Sequence, residues 1–104
     1  MSKKPFLEIM TPLGVLVRTT AAHWGRIVAL NHPVMRGKED LVKKALSNPF
    51  EIRRSRRDEA VYLYYSQDLP YYTCVVVRHL NGEGFIITAY RTEGIKDGER
   101  VWPQ

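Results

Sequence analysis

Residues 50–92 read FEIRRSRRDEAVYLYYSQDLPYYTCVVVRHLNGEGFIITAYRT. Four runs, Phe50 to Ser55, Val61 to Ser66, Tyr72 to His79 and Gly84 to Thr92, are separated by turn chemistry at Arg57-Asp58-Glu59, Asp68-Leu69-Pro70 and Asn81-Gly82. β-Branched and aromatic side chains suit a pleated surface, and links this short join antiparallel neighbours. The stretch therefore predicts a four-stranded antiparallel meander.

Upstream of it the period changes. Phe6 to Met10 and Gly14 to Arg18, separated by Thr11-Pro12-Leu13-Gly14, predict a β-hairpin. Thr19 or Thr20 can cap a helix running through Ala21 to Leu30, which Pro33 closes. At 100° per residue, Trp24, Ile27, Val28 and Asn31 share one stripe, and His23, Arg26 and Leu30 lie on its flank. A second helix is expected from Lys38 to Ser47, burying Leu41, Val42, Ala45 and Leu46, with Asn48-Pro49 ending it. The tail from Ile95 to Gln104 is polar and turn-rich apart from Val101 and Trp102. Two helices followed by a run of strands predict an α+β architecture: an N-terminal hairpin and two helices packed on a four-stranded antiparallel twisted sheet.

At 104 residues the chain is long enough for one core and short for two, so residues 1–104 are read as a single domain. No segment approaches the ~20 consecutive apolar residues of a membrane helix. Met1 to Pro5 lacks the apolar run of a secretory leader, which makes the cytoplasm the expected location. The single cysteine, Cys74, cannot form an internal disulfide and reads as a buried strand thiol. The net charge of +5 is uneven: residues 1–57 carry +8 and residues 58–104 carry −3. A polyphosphate-binding surface would look like this, and so would a solvated basic face with no partner.

Three blocks carry a family pattern. They are His23-Trp24-x-x-Ile27 leading to His32-Pro33-x-Met35; Leu46-x-Asn48-Pro49-x-x-Ile52-Arg53-x-Ser55; and Gly84-Phe85-Ile86-Ile87-Thr88-Ala89-Tyr90-x-Thr92. Together they resemble the phage- and plasmid-associated branch of the barnase, EndoU, colicin and RelE-like (BECR) ribonucleases, over roughly residues 15 to 102. The resemblance implies a hydrolase that cleaves RNA without metal or other cofactor, toxin-like or associated with a mobile element. An acidic antitoxin or immunity protein is then an expected partner. Some members of the family have lost activity.

RNA cleavage by attack of the 2′-OH on the adjacent phosphate needs a base, a cation and an acid. His23 and His32 are the acid–base candidates, because imidazole titrates nearest neutrality. Packing or carbonyl capping is equally open to each, and His79, at a strand end, is the weakest of the three. Arg53-Arg54-Ser55-Arg56-Arg57 places four guanidiniums in five positions; alternation sends Arg53, Ser55 and Arg57 to one face and Arg54 and Arg56 to the other. Arginine holds phosphate bidentately, although a charged sheet edge would also explain the run. In the last strand strict alternation groups Ile86, Thr88 and Tyr90 against Phe85, Ile87 and Ala89. The catalytic set expected is His23, His32, Arg53, Ser55, Thr88 and Tyr90, with Arg26, Arg54, Arg56, Arg57 and Tyr64 contacting RNA. The rival readings are a catalytically silent nucleic-acid-binding module and an accessory domain whose sheet docks another protein.

Overall fold

A computed structural model describes residues 6–95 and 98–103, leaving out the side chain of Asn31. Met1–Pro5, on which the expectation of no secretory leader falls, and Lys96, Asp97 and Gln104 of the tail lie outside the described residues. Chain order is β1 (Leu7–Met10), β2 (Leu16–Thr19), α1 (Ala21–Arg26), α2 (Glu39–Ser47), β3 (Glu51–Arg54), β4 (Val61–Asp68), β5 (Tyr71–Leu80), β6 (Glu83–Thr92) and β7 (Glu99–Trp102). All seven strands join one sheet in the order β1-β2-β6-β5-β4-β3-β7.

This overturns the expected architecture of a four-stranded antiparallel sheet carrying two helices. The sheet is seven-stranded and mixed, and strands make up 46% of the described residues, so the fold is dominated by the sheet. Strands β3 to β6 form a meander at its centre. Two additions were not anticipated. The N-terminal hairpin enters the same sheet through a parallel pairing of Leu16–Arg18 with Glu83–Phe85, and the turn-rich tail supplies β7, antiparallel to β3. Long-range pairing of this kind leaves no periodic mark, because each strand is only four residues long.

Register divides the side chains into two faces. Ile52, Tyr64, Val75, Val77, Ile86 and Ala89 form the inner face and pack with Trp24, Ile27, Val28, Met35, Val42, Ala45 and Leu46 from the helical segments. The sheet curls around this core. From β1 to β4 is about 19 Å along a flat sheet at the usual strand spacing, yet the Tyr64 hydroxyl donates to Thr11 Oγ1 at 3.1 Å, just beyond β1. The outer face has a smaller cluster of Leu63, Tyr65 and Cys74, flanked by Tyr72, Val76, Tyr90 and Ile95. Cys74 is a buried free thiol.

The helical segment departs from a plain helix. Thr20 is the N-cap of α1 and accepts from the His23 amide at 3.1 Å. After Arg26 the backbone widens into a π-type turn over Ile27–Asn31, closed by the His32 amide donating to Ile27 O at 2.9 Å. Pro33 then opens a 3-10 turn, Pro33–Met35. π-Type turns absorb an extra residue and often lie beside functional groups. Here the turn delivers His32.

Gly84 allows the parallel junction. A Cβ there would lie 2.8 Å from Val17 Cγ2, 2.9 Å from Val77 Cγ1 and 3.2 Å from Val15 Cγ1. These are buried side chains, and β-branched residues have few rotamers with which to yield. Gly84→Ala is expected to destabilise the fold by about 1–3 kcal/mol, the range for overpacking; thermal denaturation followed by circular dichroism would read this as a fall in Tm of several degrees.

Candidate active site on the outer face

Strand β2 stops pairing with β6 after Phe85, and the residues beyond it need other partners for that edge. α1 and the turns after it cover this stretch. His23 Nε2 lies 2.7 Å from Ile86 O. A carbonyl only accepts, so Nε2 carries the proton and donates it. His23 is thus a fastening between α1 and β6, and its Nε2 is already committed.

His32, six residues beyond Arg26, comes to the same edge further along. Its ring centroid is 5.7 Å from that of Tyr90, with the planes tilted by 43°. Two positions before Tyr90 stands Thr88, whose Oγ1 is buried and has no hydrogen-bond partner. His32 and Tyr90, 58 positions apart in the chain, therefore meet at one edge of the sheet.

The face on which Thr88 and Tyr90 stand depends on a bulge. Val76 pairs with Thr88 and Val77 with Ile86, so Ile87 is extra. Strict alternation would group Thr88 and Tyr90 with Ile86. Instead Ile86 and Ala89 enter the core, whereas Thr88 shares a cross-strand row with Val76, Leu63 and Arg53, and Tyr90 one with Cys74, Tyr65 and Glu51. Both belong to the outer face, and the expected pairing of Ile86 with them is corrected.

Arg53 is on that face too. Its guanidinium is paired with Glu51 and donates to Gly98 O at 3.1 Å. Three strand spacings, about 14 Å, separate its backbone from that of Thr88. Arg53 therefore lies beyond contact with the His32–Tyr90 group. The remaining arginines do not follow the expected alternation, because β3 ends at Arg54 and the chain turns. Ser55 Oγ accepts from the Arg57 amide at 3.1 Å and serves that turn. Arg54 faces Glu99 at 3.8 Å, while Arg56 reaches toward Gly98 O at 3.5 Å. Arg54, Ser55 and Arg56 line an open pocket of about 270 Å3 with Glu59 and Glu99. Arg57 and Arg26 are exposed.

Tyr64, expected at an RNA surface, is 0% exposed and belongs to the core. Stacking on a base is closed to it. Its hydroxyl lies 2.9 Å from His79 Nε2, and His79 stacks on Tyr62 with ring centroids 3.9 Å apart. Among the described residues no group of three or more His, Cys, Asp or Glu is placed to hold a metal ion, and no helix is long and apolar enough to cross a membrane.

Arginine clustering and tyrosine content in the sequence point to Arg54, Arg56 and Tyr64 and pass over Phe85, Arg18 and Arg78. In the structure Phe85 is an exposed aromatic on the outer face, between Arg18 of β2 and Arg78 of β5 in one cross-strand row. Its place in the Gly84-to-Thr92 block was visible; its neighbours were not. The chain matches no protein-family model, no curated protein and no solved structure.

Burial holds His79 down at about 4, against an ordinary imidazole value of 6.5. The folded chain thus favours the neutral ring, and the unfolded chain binds the proton first. Stability is full above about pH 6.5, declines toward about pH 4 and loses nothing further to this group below that. For a half-buried ring, screened by solvent, the loss should be on the order of 1–2 kcal/mol. Denaturant titrations across that window should show it in the unaltered chain, and His79→Gln should remove this component of the slope.

Proposed function

We propose that the chain is a metal-independent endoribonuclease acting in the cytoplasm on single-stranded RNA, as the resemblance of its three blocks to BECR ribonucleases implies. The observation that carries this reading is the meeting of His32 with Tyr90 beside the unpartnered Thr88 hydroxyl. Two of the three sequence blocks supply those residues.

In this reading a neutral His32 imidazole accepts the proton of a ribose 2′-OH as that oxygen attacks the adjacent phosphorus. The Tyr90 hydroxyl protonates the departing 5′ oxygen, or the two exchange roles. A rotamer change that brings the buried Thr88 hydroxyl out lets it donate to a non-bridging phosphate oxygen, completing the hydrogen bond it lacks in the free chain. Arg53, about 14 Å across the sheet by strand spacing, holds a neighbouring phosphate rather than the scissile one. His23 and Ser55 act as structural residues, through Ile86 O and the Arg57 amide. An acidic protein that inhibits the enzyme belongs to the same proposal.

Purified chain should cut single-stranded RNA in the presence of EDTA and leave 2′,3′-cyclic phosphate ends. His32→Ala and Tyr90→Phe should each slow cleavage by about 10²-fold or more, while both variants retain the circular dichroism spectrum of the parent. A chain that shifts RNA on a gel without cutting it would be a silent binding module instead. Cleavage that survives both substitutions would place the chemistry elsewhere.

A further inference from the structure

A second cross-strand row lies beside the His32–Tyr90 group on the outer face. Glu8, Arg18, Phe85, Arg78 and Val61 follow one another from β1 to β4. Phe85 is 44% exposed and Ile87, next along the same strand, 41% exposed. Two large apolar side chains are thus left exposed within one internal strand of the sheet, and a grouping of this kind is more informative than apolar residues scattered singly.

The groups around the ring are ordered. Arg18 is paired with Glu83, and Arg78 with Asp58 at 2.9 Å. Asp58 is held below the usual carboxylate range by the Ala60 amide, with Arg78 also contributing. Both pairs are on the surface, where an ion pair contributes little and its members can change partners. Guanidinium donors and carboxylate acceptors thus flank a flat apolar surface on each side. A phosphate would want cations alone. A nucleobase has a π-face to stack and an edge bearing both donors and acceptors.

We infer that Phe85, between Arg18 and Arg78, is a base-stacking subsite for single-stranded RNA, taking a nucleotide that flanks the one held at His32 and Tyr90. This rests on the proposed ribonuclease reading for its direction along the sheet, but not for its binding chemistry. Phe85 and Thr88 are separated by about two strand residues after allowance for the bulge, on the order of 7 Å. Adjacent nucleotides of an extended strand can occupy the two positions.

The test uses the full chain and a fluorescently labelled 2′-O-methyl oligonucleotide of about eight residues, within the footprint of common single-strand sites, read by anisotropy. Blocking the 2′ oxygen prevents cleavage, so binding is measured apart from chemistry. Phe85→Ala should weaken binding about tenfold or more, Phe85→Trp should preserve it, and Leu80→Ala, an exposed apolar change off the row, should leave it as it was. If Phe85→Ala binds like the unaltered chain, or Phe85→Trp fails as badly as Ala, the subsite is wrong. If Phe85→Ala instead changes only self-association in sedimentation, the face docks protein and the inference is likewise overturned. A chain that never cuts RNA yet loses probe affinity with Phe85→Ala loses the proposed reaction and keeps this subsite. A chain that cuts RNA while Phe85→Ala binds normally keeps the reaction and loses the subsite.

Discussion

Three residue pairs join the N-terminal hairpin to the central meander: Leu16 with Glu83, Val17 with Gly84 and Arg18 with Phe85. Gly84 gives this parallel pairing its room, since a Cβ there would crowd Val17, Val77 and Val15. Because the pairing is short, β6 outruns β2. The uncovered edge is then taken over by α1 and the turns that follow, with His23 fastened to Ile86 and His32 set against Tyr90. The candidate site is a consequence of where one strand ends.

The central meander and both α-helices could be read from the sequence because their signals are local. Trp24, Ile27 and Val28 are buried on the stripe that helical spacing gives them, and Thr20 caps where a threonine was expected. What could not be read is non-local. Leu16–Thr19 carries no mark that its partner is Glu83–Phe85, and Glu99–Trp102 looks like a tail until Ile52 and Arg54 are seen beside it. The switch from an α-helical to a π-type turn at Ile27 is equally silent, since Ile-Val-Ala-Leu suits either.

The site was legible in part, for the same reason. His32, Thr88 and Tyr90 stand out by their chemistry; His32 meets Tyr90, Thr88 stands two positions along the same strand, and Arg53 shares the face of β6 at a distance. Charge was the poorer guide. In the basic run, Arg53, Arg54 and Arg56 are engaged by Glu51, Glu99 and the Gly98 carbonyl, so their clustering in the sequence does not make them free cations. Tyr64 misled because alternation assigns it to one side of the sheet without saying which side is covered.

The bulge at Ile87 has an effect beyond facing. Delete that residue and alternation still puts Phe85, Thr88 and Tyr90 outside and Ile86 and Ala89 inside. What the additional residue changes is the course of the strand, since a bulge bends it and tightens its twist. A β6 shorter by one residue would keep the same inside and outside and lose its aim: Tyr90 would be carried past a different point on the helical turn. Insertion length at this position, rather than the identity of the inserted side chain, is what tunes the reach of one half of the site toward the other.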